Sequence, residues 1–300
     1  MTDSGATPTV SAVIPVYNGQ LFLADAIESV LEQSRPAIEC IVVDDGSTDA
    51  TADVVRRFGN EVVSVRQDRS GVSGARNRGA ELARGELLAF LDHDDAWLPG
   101  KLERQVQELG RQDSAMALCA MSVVDRAGTT LGIRRLHAHD DLLTGMLLFD
   151  GTELVSCSST GLVRRSAFLA IGGFDQNLSM SADWDLLLRM LLDGGVAYVD
   201  EPLVRYRVHG TNMSRDIGAM ELDMSYAFAK AFADERLPEA LRRRERSAYG
   251  RLYRMLAGSY RDAGRLTDAA RMLVNGIRHD PALLVEIVRR TTAFRRRRAT

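Results

Sequence analysis

The chain has 300 residues, 45% of them hydrophobic and 26% charged, with a formal net charge of −3. That balance belongs to a soluble globular protein and excludes disordered, collagenous and disulfide-scaffold classes. The three cysteines, Cys40, Cys119 and Cys157, form no CxxC pair, which argues against a zinc site or a disulfide framework and for a reducing compartment. The start, MTDSGATPT, has neither the basic nor the apolar stretch of a signal peptide. The longest apolar run, Ala282 to Val288, is too short to span a bilayer and carries Glu286, so a cytoplasmic protein is expected. The charge is uneven: from Arg236 onward there are 17 Arg, no Lys and 6 acids, a balance of +11 that leaves −14 for residues 1–235. An acidic body with a basic tail suggests two surfaces.

Val10 to Val16 predicts a strand running into Tyr17-Asn18-Gly19, and the spacing of Leu23, Ile27, Val30 and Leu31 predicts a helix over 21–31. Ile38 to Val43 reads as a second buried strand closing on Asp44-Asp45-Gly46-Ser47. Thr51 to Phe58 reads as a helix, Val62 to Val65 as a third strand and Gly74 to Arg84 as a further helix. Leu87 to Leu91 is a fourth strand, ending in Asp92-His93-Asp94-Asp95. Such alternation implies βαβ units, hence an α/β protein whose central sheet is mostly parallel and flanked by helices.

Ala115 to Ile133 reads as a hairpin around Arg126-Ala127-Gly128, followed by a strand at Gly161 to Val163 and a helix from about Ala182 to Leu192. Two strands are expected next, Val196 to Val199 and Val204 to Val208. Beyond Thr211 only helices are expected, with Tyr249–Ala263 and Thr267–Arg278 forming one helical hairpin. The boundary falls near Ser214–Ala219, giving an α/β domain over 1–215 and a helical, Arg-rich region over 216–300.

Ligands of open α/β sheets bind outside the carboxyl ends of the strands. Those ends carry Tyr17 and Asn18, then Asp44 and Asp45, then Asp92, Asp94 and Asp95. Five carboxylates on one edge repel one another unless a cation neutralises them, which predicts a hard divalent ion with oxygen ligands. Taken alone, DDGSTD is also a turn and capping string, and DHDD also suits a solvated loop. GVSGARNRG does not fit the dinucleotide fingerprint and no GK[ST] marks a P-loop, so a nucleotide must be held through a metal and side chains such as Arg76 and Asn77.

The ordered strings AVIPVYNG, VVDDGSTD, SGVSGARNRGAELARGELLAFLDHDD, GGFD and SADWDLLLRM resemble the family 2 glycosyltransferases of the GT-A (Rossmann-like) fold over about residues 8–212. The resemblance implies that Pro15, Val16 and Tyr17 lie against the donor base and that Asp45, with Asp44, bonds its ring N–H. It implies that Asp92 and Asp94 form the DxD element, which contacts the ribose and a Mg²⁺ or Mn²⁺ on the diphosphate. Asp94 and Asp95 stay unranked as principal ligand, and His209 in RYRVHGTNMS is a candidate third ligand. Asp183 matches the catalytic base, set in the first turn of its helix, where Ser181 is positioned to cap and the positive helix end favours a carboxylate.

Trp184, Leu187, Leu188 and Leu191 form an apolar stripe beside Asp183. Arg205 and Arg207 are candidates for phosphate or for pairing with the acids, whereas Trp97 and Phe174 read as packing residues. The chain departs from the family in carrying Ala182 where an acid often precedes the base, and it lacks a QxxRW-type motif, which favours single addition over polymerisation.

The expected partners are therefore a nucleotide-sugar, UDP-linked before GDP- or dTDP-linked, and a glycan or lipid-linked acceptor of the cell envelope. The Arg-rich tail is a candidate for peripheral contact with an anionic membrane at its inner face, equally with a solvated tail or docking on the acidic body. No nucleic-acid partner is expected, because no aromatic platform interleaves the arginines. Two rivals remain at this level: a catalytically silent nucleotide-sugar-binding scaffold that uses its helical tail for interactions, and a nucleotidyltransferase. The second lacks its Gly-rich, Lys-containing loop.

Overall fold

The computed structural model describes residues 7–137, 141–149, 157–210 and 216–285. In chain order the elements are β1 (Val10–Val16), α1 (Leu23–Leu31), β2 (Glu39–Asp44), α2 (Thr51–Arg56), β3 (Val63–Arg66), α3 (Gly71–Leu82), β4 (Leu87–Phe90) and β5 (Ala96–Trp97). There follow α4 (Lys101–Gln112), β6 (Met116–Val124), β7 (Thr130–Arg134), α5 (Leu142–Leu148), α6 (Cys157–Thr160), β8 (Leu162–Arg164), α7 (Arg165–Ala170), α8 (Ala182–Asp193) and β9 (Val196–Arg207). The last four are α9 (Ile217–Ala233), α10 (Glu239–Arg242), α11 (Glu245–Asp262) and α12 (Leu266–His279). The chain divides into two compact units, Met1–His137 with Glu153–Met213, and Ala138–Thr152 with Ser214–Thr300.

The first unit holds one sheet in the order β3-β2-β1-β4-β8-β6-β9-β5, with β7 paired to β6 off this path. β1 runs parallel to both β2 and β4, and β2 parallel to β3. All seven residues of β1 are buried, as expected for a parallel strand covered on both faces. Beyond β4 the sheet is mixed: β8 is antiparallel to β4 and β6, β9 is parallel to β6, and β5 is antiparallel to β9. The parallel half is therefore the half whose carboxyl ends carry the acidic loops.

α3 packs directly on β1. A Cβ added at Gly79 meets Val13 Cγ1 at 2.2 Å, so only glycine admits this approach. The two strands expected at 196–199 and 204–208 are one strand, β9. Pro202, which reads as a break, sits opposite Ala120 where the register of β6 shifts, a place that tolerates a missing N–H. Residues 101–112, unassigned from sequence, form α4, whose buried residues Leu102, Gln105, Val106 and Leu109 fall on one face.

In the second unit α11 and α12 pack as the expected hairpin. They approach closely at Gly250 and Gly276, where an added Cβ on Gly276 lies 3.1 Å from Gly250 O. Tyr260 is buried, its hydroxyl donating to Glu221 Oε2 at 2.7 Å, and Arg271 holds both oxygens of the same carboxylate. The arginine run 295–298 lies outside the described residues. Among the described residues no helix is long and apolar enough to cross a membrane.

Lys101 is wholly buried in the first unit, with Nζ 3.2 Å from Gly161 O and 4.2 Å from the centre of the Trp97 ring. Burial pushes its ammonium from 10.5 down to about 8. The folded chain thus sheds this proton before the unfolded chain does, and stability rises with pH between those two values. The Cys40 and Cys119 thiols, pushed up by burial to about 12 and about 11, act oppositely, but only above their ordinary value of 9. Comparing urea unfolding of wild type and Lys101→Met at pH 7.5 and 9 should show the difference moving toward wild type by about 1 kcal/mol. A pH-independent difference contradicts a buried ammonium at this position.

Candidate active site

Asp44, at the end of β2, accepts from Ser47 N and from Arg66 Nη1, each at 2.8 Å. Asp45 takes Ser70 N and Gln67 Nε2 on Oδ1 and Gly71 N on Oδ2, all at 2.8 Å, and so caps the start of α3. Pro15 and Val16, the last two residues of β1, lead into Tyr17, whose ring centre lies 3.7 Å from the Arg69 guanidinium carbon. The first two strand tips are thus neighbours through the Asn18–Ser47 and Asn18–Thr48 bonds.

Five residues into α3, Arg76 is buried and spans two carboxylates. Its Nη2 donates to Asp92 Oδ1 at 2.6 Å and its Nη1 to Asp183 Oδ1 at 3.2 Å. Burial alone lowers a guanidinium's affinity for its proton, but Asp92 and Asp183 more than reverse this and raise it above the ordinary value. The guanidinium also stacks over Phe174, 4.9 Å from the ring centre. Phe174 is fixed by Asn77, which donates Nδ2 to Phe174 O at 2.8 Å and accepts Phe174 N on Oδ1 at 2.9 Å. Both polar ends of Asn77 are engaged in that way, as both carboxylate oxygens of Asp44 and Asp45 are in their own turns. Its partner loop turns at Gly173 (φ +68), where a Cβ meets Asn77 Oδ1 at 2.6 Å.

The DHDD residues diverge sharply. Asp92 belongs to the Arg76–Asp183 group. Asp94 Oδ2 lies 2.9 Å from His209 Nε2, and His209 packs against Phe22. Asp95 is buried, accepting Ser159 Oγ at 2.6 Å and Arg207 N at 2.9 Å. Burial, then the charges of Asp94 and Asp92, push its carboxyl well above the carboxylate range. Arg207 pairs with Asp25 and donates to Asp94 O rather than standing free. Among the described residues no three His, Cys, Asp or Glu side chains cluster as a metal site, so Asp94 and His209 meet without Asp92.

Asp183 lies in the first turn of α8, as expected, although Ser181 makes no side-chain capping bond. The stripe expected beside it is wider: Leu186 and Met190 are buried as well as Trp184, Leu187 and Leu188, while Leu191 is half-buried. Two residues that sequence reasoning missed complete the group. Ser158 Oγ lies 2.9 Å from Asp92 Oδ2 and 3.0 Å from Asp183 Oδ2, and Ser159 joins Asp95 to Asp92 N. Their only sequence signal is the small polar run Cys157-Ser158-Ser159-Thr160 before β8.

This sheet, with its acidic residues at the carboxyl edge, is the GT-A architecture. Staphylococcus aureus TarS superposes with a TM-score of 0.63 at 20% identity, covering 82% of this chain and 43% of that longer one. A mannosyltransferase, PcManGT of Pyrobaculum calidifontis, solved with GDP-Man and Mn²⁺, gives 0.62 at 19% identity, covering 97% and 81%. The glycosyl transferase family 2 model matches residues 11–172, and the chain belongs to that family of glycosyltransferases. The putative teichuronic acid biosynthesis glycosyltransferase TuaG of Bacillus subtilis is 32% identical over 219 residues, which cover 69% of this chain and 82% of TuaG. An uncharacterized glycosyltransferase of Rickettsia typhi is 31% identical over 212 residues, 70% of this chain and 67% of that protein.

Removing Arg76 leaves two carboxylates facing each other across a buried gap. Arg76→Ala should lower unfolding free energy by about 3–5 kcal/mol. Arg76→Lys should recover less than half, because a single ammonium does not reproduce the fork that reaches both acids. Urea denaturation followed by tryptophan fluorescence measures both.

Proposed function

We propose that this chain transfers a sugar from a nucleotide-diphosphate donor to an acceptor hydroxyl by a single displacement with inversion. The observation that carries the reading is the joining of Asp92 and Asp183, from separate elements, on one guanidinium beside the Asp94–His209 pair. Asp183 is the base: it takes the proton of the acceptor hydroxyl as that oxygen attacks the anomeric carbon. Tyr17 offers its ring to the base of the nucleotide, which takes the place of the Arg69 guanidinium. Asp45 Oδ2 accepts one bond, from Gly71, and keeps a lone pair for a base N–H. Asp44, paired with Arg66, supports the turn, and Asp92 faces the ribose.

A hard oxygen and an imidazole nitrogen, with side chains 17% and 12% exposed, suit Mg²⁺ or Mn²⁺ at Asp94 and His209. Asp94 and His209 would hold the ion, and a bound diphosphate and water would complete its shell. When bound, it stabilises the charge left on the departing nucleoside diphosphate. The donor is a nucleotide-sugar, a UDP-sugar first and a GDP-sugar second, since TarS was solved with UDP-GlcNAc and PcManGT with GDP-Man. The acceptor is a cell-envelope glycan or a lipid-linked precursor, a reading supported by TuaG's assignment to teichuronic acid synthesis. The site works in the cytoplasm, with the basic tail at the inner membrane face.

Thermal shift against UDP-, GDP- and dTDP-sugars, with and without MnCl₂, tests the donor class. One nucleotide-sugar should raise the melting temperature by several degrees only with Mn²⁺, and Asp94→Ala should abolish that metal dependence. Asp183→Asn should keep the shift and lose transfer by about 100- to 10,000-fold. Transfer by Asp183→Asn at the wild-type rate removes Asp183 as the base.

A further inference from the structure

Asp92 and Asp183 are joined twice. On one side lies the Arg76 fork to their Oδ1 atoms. On the other, Ser158 Oγ sits 2.9 Å from Asp92 Oδ2 and 3.0 Å from Asp183 Oδ2, and Ser158 N adds a 3.1 Å bond to that same Asp183 oxygen. The Ser158 hydroxyl has one proton to share between the two acids, whereas its backbone N–H serves Asp183 alone. Each added bond narrows the rotation of a carboxylate about its Cβ–Cγ bond. Arg76 grips Oδ1 of Asp183 by a single bond, and on Oδ2 the Ser158 N–H is joined by the shared hydroxyl.

Ser158 is itself fixed from behind. All four residues of α6 are fully buried. The carbonyls of residues 159, 160 and 161 accept in turn from Trp97 Nε1 at 2.9 Å, Gln105 Nε2 at 2.7 Å and Lys101 Nζ at 3.2 Å. Cys157 Sγ donates to Asp183 O at 3.1 Å, so α6 holds the backbone as well as the carboxylate of that residue. Three side chains from β5 and α4 therefore brace a four-residue segment whose first serine reaches the two acids.

We infer that Ser158 is a positioning residue for the reaction: it sets the rotation of the Asp183 carboxylate, and so the direction of the lone pair that receives the acceptor's proton. The inference rests on Asp183 acting as the base. General-base transfer demands an aligned oxygen within hydrogen-bond reach, and small misplacements are costly. The hydroxyl also lies 2.9 Å from Asp92 Oδ2, the acid assigned to the ribose, so its removal acts on turnover through Asp183 and on donor binding through Asp92.

The test follows nucleoside diphosphate release from UDP-glucose, UDP-GlcNAc, UDP-galactose and GDP-mannose with MnCl₂, using whichever wild type hydrolyses fastest. Ser158→Ala keeps the backbone N–H on Asp183 and removes the hydroxyl, so it should lose about 3- to 10-fold in kcat through Asp183 and raise donor KM through Asp92. Ser158→Thr, which keeps the hydroxyl, should recover most of both. In an Asp183→Asn background Ser158→Ala should cause no further loss of kcat, because that part of its effect passes through the carboxylate, while the change in KM persists. Wild-type kcat in Ser158→Ala, a change confined to KM, or an equal loss of kcat in both backgrounds overturns the inference. Should Ser158→Ala melt below assay temperature, Lys101→Met, which removes the bond to Gly161 O just after α6, carries the same expectation of lowered kcat. Full activity in Asp183→Asn defeats the base assignment and this inference together; an inactive Asp183→Asn beside a fully active Ser158→Ala defeats this inference alone.

Discussion

A guanidinium held between carboxylates from distant segments is the interaction on which the rest of the site depends. Arg76 can reach Asp92 and Asp183 only because α3 starts and lies where it does. The start is fixed by Asp45, which takes the backbone N–H groups of Ser70 and Gly71. The placement is fixed by Gly79, which lets the helix touch Val13 of β1. The string between the second and fourth strands thus acts as one device: an acid at a strand tip caps a helix, the helix presents an arginine, and the arginine holds two further acids that would otherwise repel one another. Asp45 thereby positions Arg76 through the start of α3.

Much of this was legible in the sequence for a specific reason. Parallel strands buried on both faces leave continuous apolar runs, and Val10–Val16, Ile38–Val43 and Leu87–Leu91 are such runs, each ending in polar residues that the topology must place on one edge. Asp92 was readable for the same reason, whereas Asp183 stands out through the family resemblance and Arg76 only as a helix residue able to hold a phosphate or base. The less regular half was harder. β9 is interrupted by Asp200-Glu201-Pro202, a turn-like string whose conflict is relieved by a register shift in its neighbour, something no local pattern contains. α6 is four small residues long and has no periodicity at all, so Ser158 and Ser159 gain meaning only from what surrounds them. Asn77, a polar residue in a recognised motif, holds the Phe174 backbone at both ends of its amide, a role that no local pattern announces.

The second unit draws its stability from a different source. Its hairpin closes through glycines at the crossing, and the buried Tyr260 needs Glu221 to satisfy its hydroxyl, which Arg271 then neutralises. Two of the arginines that make this region basic are thus committed locally, since Arg265 and Arg271 both pair with Asp268. The +11 balance counted from sequence already subtracts Asp268, and the pairing of Arg271 with Glu221, outside the counted segment, lowers it further.

Within Asp92-His93-Asp94-Asp95 the division of labour follows from environment rather than residue type. Asp92 faces a buried guanidinium and a serine, so its charge is balanced inside the protein. Asp95 has a donor on each oxygen and is almost wholly covered, which makes ionisation unfavourable. The Asp94 side chain is 17% exposed and meets the His209 imidazole through one oxygen. The adjacent carboxylates of Asp94 and Asp95 thus differ in what the fold has already satisfied, a difference that the letters DHDD do not contain.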